Sequence, residues 1–70
     1  MATTMFFEET LTDREDKTKS VDLEFGRSSF YRDNLIYIVV DGKGLIVDEA
    51  TGRRLVKAMA ELGYYLGYDE

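Results

Sequence analysis

The sequence predicts an α+β domain: an antiparallel sheet of about four strands in ββββα order, with one C-terminal helix packed across one face. Three observations carry this. Residues 19–26 alternate between apolar and charged positions. Residues 35–40 are uniformly apolar and run straight into Asp41-Gly42. After Asp48 the apolar spacing changes from two residues to between three and four.

The first strand is expected over residues 3–11, which are rich in Thr and Phe. The adjacent pairs Phe6–Phe7 and Glu8–Glu9 break clean alternation and leave its register open. Residues 13–18 are charged apart from the final Thr18 and read as a solvated connection. In residues 19–26, Val21, Leu23 and Phe25 share one face, while Asp22 and Glu24 occupy the other. That is the pattern of a half-buried strand. Residues 26–33 read as a loop or irregular edge, anchored by Phe30 or Tyr31.

Residues 35–40, Leu-Ile-Tyr-Ile-Val-Val, form the third strand, because β-branched and aromatic side chains suit a pleated surface. Both of its faces are apolar, so a second cover is expected besides the helix. Asp41-Gly42-Lys43-Gly44 supplies the positive-φ positions of a tight hairpin, and residues 45–47 return as a short strand.

Asp48 is a good N-cap, and Glu49 favours the positive end of a helix dipole. Leu55, Met59, Leu62 and Leu66 then form one helical stripe, widened by Val56 and Ala60. In this arrangement Val21, Leu23 and Phe25 would meet Leu55, Met59 and Leu62 in a core. The helix ends at Gly63 or continues to about Leu66, with Gly67 as its stop. An alternative makes 48–52 the turn of a second hairpin, supported by Gly52.

With 70 residues the chain forms a single domain, 1–70. It has no cysteine and no histidine. A disulfide framework, a thiolate nucleophile and imidazole acid–base chemistry are therefore excluded. The net charge of −5 argues against a main task of holding a phosphate backbone. No basic leader precedes an apolar run near Met1, and no run approaches the ~20 residues of a membrane span, so a cytoplasmic, soluble protein is expected.

Asp41, Asp48 and Glu49 could offer oxygen ligands to a hard cation, but their spacing fits no calcium loop. Gly42-Lys43-Gly44 precedes a strand, whereas a phosphate loop leads into a helix. No cofactor, no metal and no enzymatic activity are expected.

A core this small rarely stabilises a chain by more than ~3–5 kcal/mol, and disulfides are excluded here. A non-enzymatic interaction module, self-associating as a homodimer, is therefore the leading expectation. Its interface candidates are Leu35, Tyr37 and Val39 on the second face of the apolar strand, with Tyr64, Tyr65 and Tyr68 at the chain end. A second protein could also add a strand to an open edge. The alternative is a nucleic-acid or polyanion-binding accessory factor using Arg27, Arg32, Arg53, Arg54 and Lys57.

Overall fold

A computed structural model describes residues 4–30 and 32–68. Four strands, β1 (Thr4–Thr12), β2 (Ser20–Arg27), β3 (Ile36–Val40) and β4 (Lys43–Ile46), precede one helix, α1 (Glu49–Leu66). They form a single antiparallel sheet in the order β1-β2-β3-β4, each strand beside its neighbour in sequence. Short connections join antiparallel neighbours at little entropic cost, which favours this meander.

The β1 register is settled by a bulge. Met5 pairs with Gly26 and Phe7 with Phe25, leaving Phe6 as the extra residue between them. Gly26 is required there. A Cβ at Gly26 would lie 2.1 Å from the Thr4 carbonyl oxygen, well inside contact distance. The β1–β2 connection folds on aspartates: Asp13 Oδ2 accepts from the Glu15 and Asp16 amides, and Asp16 Oδ1 accepts from the Thr18 amide and hydroxyl.

The β3–β4 hairpin turns through Asp41 at φ 49° and Gly42 at φ 82°. Two successive positive φ values match the right-handed strand twist, and Asp and Gly tolerate them best. Phe30, one of the two expected anchors of the loop before β3, is 78% exposed. Tyr31, the other expected anchor, lies outside the described residues. Ser28 is what is buried: its amide donates to the Leu35 carbonyl and its Oγ accepts from the Phe30 amide.

Residues 48–52 begin the helix and do not form a hairpin turn. Asp48 Oδ1 accepts from the Thr51 amide at 2.8 Å, and the Gly52 amide donates to the Asp48 carbonyl. This capping competes successfully with the turn that Gly52 suggested. Gly63 is passed within the helix. Gly67, at φ 79°, ends it, with its amide and that of Tyr68 satisfying the Tyr64 and Gly63 carbonyls.

The sheet has two unlike faces. Paired residues in an antiparallel ladder point the same way. Phe7, Leu23, Phe25, Ile38, Val40 and Leu45 therefore share one face, termed here the apolar face. Glu8, Asp22, Glu24, Tyr37, Val39 and Ile46 share the other.

The helix does not run across either face, which corrects the expected packing. Its contact with the sheet is at its start, where Gly52 sits over Ile36 and Val47. Val56 then shares a cleft with Phe6, Phe25, Leu35 and Ile36. Beyond that point Met59 is 62% exposed, and Leu62 and Leu66 are exposed as well. Val21, Leu23 and Phe25 consequently do not meet Leu55, Met59 and Leu62 in a core. Among the described residues no hydrophobic side chain is buried in the single chain. A folded domain normally consists of at least two packed layers, and one layer here lies open.

Two dimensions express this. The Cα radius of gyration is 13.8 Å, where about 11 Å is usual for a compact 70-residue domain. The chain exposes 6177 Å², about 1,700 Å² more than the ~4,500 Å² of a folded monomer of 8.1 kDa.

Candidate interaction surface

The apolar face is built by sequence alternation. On β2, Val21, Leu23 and Phe25 point to it; on β3, Ile36, Ile38 and Val40; on β4, Leu45. β1 adds Phe7 and Leu11, with Glu9 between them. Phe7 stacks on Phe25, with ring centroids 5.0 Å apart and planes 3° from parallel. Leu45 is 57% exposed, and Leu11, Val21 and Val40 are exposed too. Contiguous apolar surface on this scale marks interaction sites in natural proteins.

The opposite face is polar at its centre. Tyr37 Oη donates to Glu24 Oε2 at 2.7 Å. That hydrogen bond to the carboxylate, then desolvation and the charges of Glu24 and Glu8, pushes the Tyr37 phenol up to about 12. Thr10 Oγ1 donates to Asp22 Oδ1 on the same face. Among the interface candidates, Tyr37 and Val39 lie on this carboxylate-bearing face. Leu35 is half-buried beside the helix start. Tyr64, Tyr65 and Tyr68 are all exposed at the far end of α1. The face of Ile38, Val40 and Leu45 was not singled out from sequence. Its signal lies in the even-numbered positions of the apolar run, Ile36, Ile38 and Val40, and in Leu45 beyond the turn.

The basic candidates are only partly brought together. Arg32, Arg53 and Lys57 line one cleft at the helix start, and Asp33, Asp48 and Glu49 line it with them. Arg53 is already engaged, its guanidinium 2.6 Å from Glu49. Arg27 donates from Nε to Asn34 Oδ1, and Arg54 donates to Thr51 Oγ1. Neither Arg27 nor Arg54 lines that cleft.

The acidic residues noted in the sequence have structural partners. Asp48 holds the helix cap, and the Thr51 amide and hydroxyl keep its carboxyl below the ordinary value of 3.8. Asp41 accepts from the Asp22 amide. Among the described residues, no three carboxylates gather closely enough to hold a metal ion. No helix among them is long and apolar enough to cross a membrane. No family model, curated protein or solved structure matches this chain.

Proposed function

We propose that this chain is a homo-oligomeric interaction module whose hydrophobic core is completed between copies, without catalysis. The observation that carries this is the excess exposed area of about 1,700 Å² per chain. Two chains hiding that much would bury about 3,400 Å² in total, within the range of obligate homodimers and well above a crystal-type contact. The surface available is apolar and flanked by charge, as such interfaces are. Oligomerisation also meets the stability demand of a small chain without disulfides.

Light scattering on a size-exclusion column, run over a dilution series, tests it. A mass near twice 8.1 kDa that persists into the low micromolar range is expected. A folded species of 8.1 kDa at every concentration would overturn it.

Polyanion binding through Arg32, Arg53 and Lys57 is a second and weaker proposal. Asp33, Asp48 and Glu49 offset those charges in the same cleft. Binding to single-stranded nucleic acid that weakens steeply with salt would support it, and no binding at low salt would remove it.

A further inference from the structure

We infer that the dimer forms by reciprocal helix exchange: the distal part of each α1 lies across the partner's apolar face, over Leu23, Ile38, Val40 and Leu45. This rests on the self-association proposed above and specifies its geometry.

The chain carries two unpartnered apolar surfaces of different shape. One is a broad sheet face. The other is a helical ridge of Leu55, Met59, Leu62 and Leu66, all exposed. A ridge on a sheet is a standard layer pairing. Sheet-to-sheet association would leave both ridges in water. Helix-to-helix association would leave both sheets in water. Exchange covers all four surfaces in one isologous contact, so a single two-fold axis satisfies every apolar patch.

The dimensions agree. From Leu55 to Leu66 the ridge advances about 16 Å at ~1.5 Å per residue. The sheet spans three strand spacings of ~4.8 Å, about 14 Å from its first strand to its last. The ridge therefore reaches from one edge to the other. The helix start is fixed to its own sheet at Gly52 over Ile36, which leaves the remainder to project away.

The charges stand clear of the contact. On the apolar face Glu9 and Lys43 lie on the edge strands β1 and β4, and Arg27 at one end is held by Asn34. At about 100° per residue Lys57 and Glu61 fall on the side of α1 away from the ridge, so they stay in water when the ridge is covered.

The absence of native cysteine makes a direct test simple. Val40→Cys and Met59→Cys chains are prepared separately, unfolded together in urea, refolded as an equal mixture and mildly oxidised. Leu45→Cys with Leu62→Cys serves as a second pair, should either variant of the first fail to fold by circular dichroism. Exchange predicts a two-chain product dominated by the mixed disulfide, identified by peptide mass.

Met59–Met59 position cross-links alone would indicate helix pairing, and Val40–Val40 position cross-links alone would indicate sheet pairing. Either result, or no mixed product from both pairs, overturns exchange while the light-scattering mass still reports a dimer. A monomeric mass for the unsubstituted chain overturns the self-association reading itself.

Discussion

Asp22 and Asp41 exchange two hydrogen bonds across neighbouring elements: the Asp22 amide donates to Asp41 Oδ1 at 2.9 Å, and the Asp41 amide donates to the Asp22 carbonyl at 2.9 Å. The β3–β4 hairpin turn is thereby latched to β2, a strand that is not part of the hairpin. The same aspartate sits at φ 49°, where most side chains are strained. One residue thus serves both turn geometry and sheet assembly. Asp41→Ala should destabilise by about 1–2 kcal/mol, combining a lost hydrogen bond with left-handed strain. Asp41→Asn, which keeps an acceptor and tolerates the conformation, should recover most of that. Urea unfolding of the three proteins checks the order.

Charge placed on the two sheet faces should act differently. Leu45 lies on the apolar face and Val39 on the face of Glu24. Leu45→Asp should weaken self-association by about 100-fold or more, equivalent to about 2.7 kcal/mol. Val39→Asp should leave the dimer mass unchanged at the same concentration. Light scattering distinguishes them, and the reverse pattern would move the interface to the opposite face.

The helix cap has a calculable sign with pH. Asp48 has a carboxyl held below 3.8 by the Thr51 amide and hydroxyl, and Asp13 and Asp16 are lowered by turn hydrogen bonds. A carboxylate depressed in the folded state adds stability above its unfolded value, and this is lost as pH falls through the lower folded value. Stability should therefore decline below about pH 4, where unfolded carboxylates begin to protonate. Asp48→Ala should lower stability at neutral pH and flatten part of that acid decline. Denaturant midpoints measured at several pH values test both.

At the alkaline end the sign is the opposite. Tyr37, pushed up to about 12 by its bond to Glu24, stabilises the fold while it keeps its proton. That contribution is fully present below the ordinary phenol value near 10 and fades as pH rises toward 12. In Glu24→Gln the latest-titrating tyrosine should ionise earlier, closer to 10. Ultraviolet titration of phenolate absorbance follows this directly. An unchanged late midpoint in that variant would remove Glu24 as the cause.

The element order of the chain, ββββα, was legible because local chemistry and fold agree, whereas the order of the strands within the sheet was not. Alternation in residues 19–26, the Asp41-Gly42 turn and the cap at Asp48 each specify backbone geometry over a few residues. The β1 register was not legible: the bulge at Phe6 depends on the close approach of Thr4 to Gly26, a contact between distant parts of the chain. The helix boundary at Gly67 was one of two stops the sequence offered. Helix placement was not legible either. An apolar stripe states that Met59 and Leu62 need a cover, but periodicity is blind to which surface supplies it. The assumption that the chain's own sheet would do so failed for that reason. The doubly apolar residues 35–40 called for a cover on both sides; in the structure Val40 on the even-numbered side is exposed, while Tyr37 and Val39 on the odd-numbered side are half-buried.

If folding of this chain is completed by a second copy, as proposed, its thermal unfolding midpoint depends on chain concentration, and measuring that midpoint across a wide concentration range decides the matter. When the folded state is a dimer, mass action raises the midpoint as concentration rises. That rise is expected, together with loss of helix signal at the lowest concentrations. A sharp, cooperative midpoint that is identical at every concentration, in a species of 8.1 kDa, would contradict it.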